Sequence, residues 1–193
     1  MTKLLLSTIL LFVLAAGSSA NYDTAIAAYE KGDYAAAIET FRGLAEEGDP
    51  RAQCILGLAY AYGEGVPQDH AEAGRWYWKS AEQGYAEAQY NLGVGYTFGE
   101  GVLQDYAMAV EWFRKAAVQG VPEAQQALGY MYSAGRGVEK NPVYAYAWFH
   151  VAAEAGNQAA QQDRDIAARD LTPTQRHEAE QLSQELLKNY AIK

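Results

Sequence analysis

The sequence predicts an all-α fold, a solenoid of helix-turn-helix repeats, and three observations carry that prediction. Sliding the 193-residue chain against itself by 36 positions aligns residues 50–85 with 86–121 and 122–157. The first pair shares 18 of 36 positions and the second 15, where composition alone gives about three. Within each copy, apolar and small residues recur at spacings of three and four, the period of a helix with one buried face. Paired glycines divide these stretches at the same place in every copy, so each copy is two helices joined by a turn.

Residues 1–20 read as a segment of a different kind. Lys3 precedes an apolar run from Leu4 to Ala16, then Gly17, Ser18, Ser19 and Ala20 lead into a polar, acidic sequence. This is the pattern of a secretory signal peptide cut after Ala20. A 13-residue run falls short of the roughly 20 needed to cross a bilayer. No second long apolar run follows, so the mature chain is expected to be periplasmic or secreted, without stable membrane insertion after cleavage.

Residues 21–49 form a shortened N-terminal copy. Phe41, Ala45 and Gly48 stand 36 places before Tyr77, Ala81 and Gly84, around a short turn of Lys31, Gly32 and Asp33. In the three full copies, 50–85, 86–121 and 122–157, the first helix carries Ala52, Leu56 and Tyr60 and their equivalents. Pro50 and Pro122 suit a first helical turn, where a missing N–H costs nothing. The turn then brings Gly63 and Gly65, Gly99 and Gly101, or Gly135 and Gly137, which are expected to hold positive φ. Asp69, Asp105 and Asn141 follow as acceptors for the free amides of the second helix, and Asp69 with Glu72 reads as a capping box. Gly84, Gly120 and Gly156 end that helix. Residues 158–193 are expected to cap the array: Asp165 replaces the repeated helical glycine, and Thr172–Gln175 opens a last helix striped by Ala179, Leu182, Leu186 and Tyr190.

Glycine inside a helix costs about 1 kcal/mol relative to alanine, so its recurrence at Gly57, Gly93 and Gly129 needs a compensating close approach. Trp76, Trp112 and Trp148 are the expected rings over these small residues, as pillars of the core.

The run ALGYMYSAGRGVEKNPVYAYAWFHVAAEAGN, with its two earlier counterparts, closely resembles the Sel-one-like repeat, a relative of the tetratricopeptide repeat, over about residues 22–187. The resemblance implies helical hairpins stacked in a right-handed superhelix. It also implies a non-enzymatic scaffold or adaptor, with secreted bacterial members tied to envelope signalling, polysaccharide secretion or contact with host proteins. One cysteine-stapled subfamily binds penicillin and is weakly β-lactamase-like. With Cys54 the only cysteine, neither that subfamily's disulfides nor its activity carries over.

Composition narrows the chemistry further. A hydrophobic fraction of 50% with 20% charged residues excludes disorder, and one cysteine excludes an internal disulfide. A net charge of −9 repels nucleic acid. Zinc-protease, P-loop and nucleophile-elbow strings do not occur, and Gly63-Glu64-Gly65 lacks the preceding strand and third glycine of a dinucleotide site. His70, His150 and His177 lack metal-ligand spacing. No cofactor or metal is expected, and Cys54, without a nearby base, reads as a small buried filler.

Functional candidates are the first-helix positions that change while the frame repeats. They are Arg51, Ile55, Leu58 and Tyr62, then Glu87, Asn91, Val94 and Phe98, then Glu123, Ala127, Tyr130 and Ala134, beside Tyr90 and Gln126. Part of this set must pack against the preceding copy. Glu87, Tyr90, Asn91, Val94, Glu123, Gln126 and Tyr130 form the expected binding groove, on the concave face of the implied superhelix, for a protein or peptide partner. The competing reading is a weak cell-wall or β-lactam hydrolase. Export itself is open to direct test: the intact mass of protein recovered from the native envelope is expected to match a chain beginning at Asn21, and a mass that includes Met1 in a membrane fraction refutes cleavage.

Overall fold

The computed structural model describes residues 20–190, so the segment read as a signal peptide lies, but for Ala20, outside the described residues. Every regular element among them is helical. In chain order these are α1 (Ala20–Glu30), α2 (Tyr34–Glu46), α3 (Pro50–Tyr62), α4 (His70–Glu82), α5 (Ala86–Phe98), α6 (Tyr106–Ala117), α7 (Pro122–Ala134), α8 (Pro142–Glu154), α9 (Gln158–Ala167) and α10 (Pro173–Tyr190), with a 3-10 turn at Ala168–Asp170. They group into two compact units. The first holds the described residues up to Ala88 with Glu100–Val102, and the second Gln89–Gly99 with Leu103 onward.

In the first unit, α1 packs on α2, α2 on α3 and α3 on α4; in the second, α7 follows α6, α8 pairs with α7, and α9 and α10 both lie on α8. The turn inside each full copy closes identically. The Asp69 amide donates to the Tyr60 carbonyl, Asp105 to Tyr96 and Asn141 to Tyr132, each at 2.9 Å. All six turn glycines have φ between 67° and 76°. At Gly101 the chain also passes so near α4 that a Cβ would land on the His70 carbonyl oxygen, so glycine is required there by space as well as by φ.

The helix starts follow local chemistry. Asp49 accepts from the amides of Arg51 and Ala52, and Asp105 from those of Ala107 and Met108. The capping box expected at Asp69 forms only by half. Asp69 accepts from the Glu72 amide at 3.0 Å, but its own N–H is committed to Tyr60 and the Glu72 carboxylate accepts from Arg75 instead. At α10 the box is complete, with reciprocal bonds between Thr172 and Gln175.

Ring placement corrects the sequence reading. The tryptophans are buried, but the ring over each helical glycine belongs to the next residue: a Cβ on Gly57 would lie 2.5 Å from Tyr77, on Gly93 2.6 Å from Phe113 and on Gly129 2.5 Å from Phe149. Consecutive helical side chains diverge by about 100°, so only one of the two aromatics can face the paired helix. Trp148 turns instead toward α10, where it stacks with Tyr190 at 6.3 Å. Lys79 and Lys115 lay their ammonium groups 4.2 and 3.7 Å from the centroids of the Trp76 and Trp112 rings.

The repeated glutamine has a structural reason too. The Gln53 amide group donates to the Ala45 carbonyl at 3.0 Å and that of Gln125 to Ala117 at 3.1 Å, each tying a helix start to the end of the helix before it. Gln83 donates in turn to the Gln53 oxygen, and Gln119 to that of Gln89. In the last copy the corresponding position is Ala155, and the buried Gln125 oxygen has no protein donor among the described residues.

Two glycines on helices separate propensity from packing. Gly43 in α2 has open space around its would-be Cβ, so Gly43→Ala is expected to stabilise by about 0.5–1 kcal/mol. Gly129→Ala carries the same propensity gain but drives a methyl into Phe149, and is expected to lose about 1–3 kcal/mol net. Urea midpoints for the two variants check this, and shifts of equal sign refute the packing account.

Candidate functional site

The second unit holds a pocket of about 420 Å³ lined from α5 by Tyr90, Val94, Thr97 and Phe98, from α6 by Phe113, and from α7 and the turn after it by Ala127, Tyr130, Met131, Ser133, Ala134 and Arg136. Helix spacing builds it. Tyr90, Val94 and Thr97, and likewise Ala127, Tyr130 and Ala134, stand three or four residues apart and so share a face of their helix. The small side chains at Ala127 and Ala134 leave the space that larger ones would fill. Phe113 closes the floor, 2% exposed, with its ring 5.9 Å from that of Tyr90. Phe98 and Tyr130 stand at the mouth, 67% and 48% exposed.

Polar groups at the pocket are mostly engaged within the protein. The Thr97 hydroxyl donates to the Gly93 carbonyl and the Ser133 hydroxyl to that of Tyr130. The Tyr130 phenol donates to Asp163 on α9 at 2.6 Å, and the Gln126 amide group donates to the same carboxylate oxygen at 2.6 Å. Asn157 then donates to the Gln126 oxygen. Partial burial and the bond to Asp163 push the Tyr130 phenol up to about 12, so Tyr130 is a neutral hydrogen-bond donor throughout the physiological range.

Of the seven sequence-predicted groove residues, Tyr90, Val94 and Tyr130 line this pocket. Asn91 and Glu123 do not line it, and Gln126 is occupied in the bridge to α9. Glu87, in the first turn of α5, belongs to the other unit. From the wider variable set, Ile55 and Leu58 are fully buried and serve the core, while Phe98, Ala127 and Ala134 join the pocket wall. Arg136 was missed. Its signal lay in the turn, where the two earlier copies carry Glu64 and Glu100. Asp163 left no periodic signal, because α9 lies beyond the repeated copies. Cys54 is 2% exposed in α3 and is not among the residues that line this pocket.

Among the described residues, no three His, Cys, Asp or Glu side chains converge as a metal site, and no helix is long and apolar enough to cross a membrane. The Sel1 repeat model matches residues 50–85, 86–121 and 122–157. Among solved structures, a protective antigen present in uropathogenic Escherichia coli strains, displaying an SLR fold, is 40% identical over 81% of this chain and 33% of its own, with a TM-score of 0.77. A Sel1 repeat protein from Oxalobacter formigenes is 37% identical over 74% of this chain and 59% of its own, with a TM-score of 0.70. This chain therefore spans less than two thirds of either. No curated protein matches it.

The bridge from the pocket mouth to α9 has a measurable strength. A double-mutant cycle of Tyr130→Phe, which keeps the ring on Phe149, with Asp163→Ala is expected to give a coupling of about 0.5–1.5 kcal/mol in urea unfolding. Additive losses show that the bond contributes nothing.

Proposed function

As a member of the Sel1 repeat family, this chain is a helical repeat scaffold of the kind that mediates protein interactions, and we propose that it works outside the cytoplasm, holding a protein or peptide partner on its first-helix face. One observation carries the reading: the positions that vary between otherwise matching copies meet, on α5 and α7, around an open pocket with an exposed aromatic mouth. Recognition surfaces favour that combination of aromatic anchors with a polar rim. The frame positions, by contrast, are spent on packing. The segment before Asn21 supports the extracytoplasmic setting, through its charged start, apolar run and small residues.

We also propose that the chain binds without hydrolysing. The hydrolase reading draws on cysteine-stapled relatives, and the single Cys54 is buried in α3. Nor does the pocket hold an activated nucleophile: the Thr97 and Ser133 hydroxyls donate to backbone carbonyls, and the Tyr130 phenol, bound to Asp163, stays neutral with its pKa pushed up to about 12.

Replacing the exposed mouth tests the face. Phe98→Ala with Ala134→Glu is expected to leave the unfolding midpoint within about 0.5 kcal/mol and to weaken capture of the partner from envelope extract by about 2 kcal/mol or more. Arg75→Ala with Glu111→Ala, on exposed second-helix positions, is expected to leave capture intact. The reverse outcome moves the binding face to the second helices.

A further inference from the structure

We propose that the pocket between α5 and α7 takes an internal stretch of extended peptide in which a large apolar side chain is followed closely by an acidic one, the apolar group entering the pocket and the carboxylate pairing with Arg136. This rests on the interaction-scaffold reading and gives the partner a chemistry. The walls supplied by Tyr90, Val94, Phe98, Phe113 and Met131 suit an aromatic or long aliphatic group. No lining residue is acidic. With the Thr97, Ser133 and Tyr130 hydroxyls all donating within the protein, Arg136 is the cationic donor at the rim. Its guanidinium lies 5.4 Å from the centre of the Tyr106 ring, and none of the ion pairs among the described residues involves it.

The charge at this position is not a requirement of the turn. Residues 64 and 100, at the same place in the earlier copies, are glutamates, and Glu64 accepts from the Tyr29 hydroxyl at 2.7 Å. The turn therefore closes equally well around an acid. A reversal to arginine, in a chain of net charge −9 and beside the pocket, is charge complementarity toward an acidic ligand. Arginine also presents a planar fork matched to a carboxylate.

The carboxylate is assigned to a side chain rather than to a peptide's own C-terminus. Thr97, Phe98, Ser133 and Ala134 are the last residues of α5 and α7, so two helix C-terminal ends border the pocket. Their carbonyls carry partial negative charge. The Thr97 carbonyl accepts from Gln104; those of Phe98, Ser133 and Ala134 can accept from the amides of a chain running through, and all oppose a terminal carboxylate set against them. A side-chain carboxylate reaches past the helix ends to Arg136.

The test uses the full chain, labelled with nitrogen-15, and three defined peptides. The first is acetyl-Gly-Ser-Phe-Glu-Glu-Ser-Gly-amide, the second has both glutamates replaced by glutamine, and the third is acetyl-Gly-Ser-Gln-Gln-Phe with a free C-terminus. The glutamate peptide is expected to shift the amides of Thr97, Phe98 and Arg136, and to bind about fivefold more tightly than the glutamine peptide at low salt. In Arg136→Glu, which installs the charge of the earlier copies, that preference should vanish while the urea midpoint stays put. Equal binding of the first two peptides, tighter binding of the third, or no shifts at the pocket each overturn the proposal. If these probes fail while Phe98→Ala with Ala134→Glu still abolishes partner capture, the binding face stands and only the assigned ligand chemistry falls.

Discussion

The fold depends on one contact made three times, an aromatic ring of each second helix laid directly on the backbone of the first at a glycine. Tyr77 covers Gly57, Phe113 covers Gly93 and Phe149 covers Gly129, with no room for a methyl group between them. The helical glycine costs about 1 kcal/mol of propensity, whereas losing a buried aromatic ring costs about 3–5 kcal/mol. Packing wins by a margin that explains why the glycine recurs in every full copy. The contact also fixes how closely the two helices of a pair approach. Other frame features act around that distance: the turn bond from Asp69 to Tyr60 and its two equivalents closes the loop at the same length, and Gln53 and Gln125 each fasten a helix pair to the helix before it.

Because the frame repeats, departures from it can be read as changes of task. The last full copy loses the glutamine that would complete the Gln125 bridge, having Ala155 in its place. There Gln126, Asn157 and Asp163 build a different connection, in which Asp163 draws in Tyr130 as well. Asp165, standing where earlier copies carry the helical glycine, is exposed and paired with Arg164. No ring could pack there against bare backbone, so α9 lies on α8 through small residues such as Ala160 and leads to α10. The array stops where its central contact cannot be made.

Much of this was legible in the sequence, since periodicity encodes both the elements and the contacts that repeat. The helices, the six turn glycines with positive φ and the closing helix from Pro173 all follow from spacing and local chemistry. Two kinds of feature were not legible. One is the choice between neighbours on a helix: Trp76 and Tyr77 recur together, and only geometry shows which of them faces the glycine. The other is any contact made once. Asp163 has no counterpart in the repeats, so its bond to Tyr130 left no pattern, and the half-formed capping box at Asp69 reflects a competing turn bond that a local motif does not contain. The pocket lies between these cases. Its variable positions were visible as variation, but whether each faced the core, as Ile55 and Leu58 do, or an opening, as Phe98 does, depended on packing.

Tyr130 shows how frame and surface share one residue. Its ring packs edge-on to Phe149, 5.1 Å between centroids, on the aromatic that covers Gly129. Its hydroxyl reaches across to α9, and nearly half of its surface remains open at the pocket mouth. Held by both the frame and Asp163, it has little side-chain freedom to lose to the proposed ligand, which lowers the cost of ordering on association. Phe98, across the mouth, is exposed. For the ligand proposed above, a fixed wall facing an exposed one suits recognition of a chemical class of side chain rather than one exact shape, with selectivity resting on the charge at the rim. The contacts that recur in every full copy lie at positions that repeat, whereas the open pocket wall at Phe98, Tyr130 and Ala134 lies at positions that do not, so on the proposed reading the ligand-facing surface can change while the frame stays.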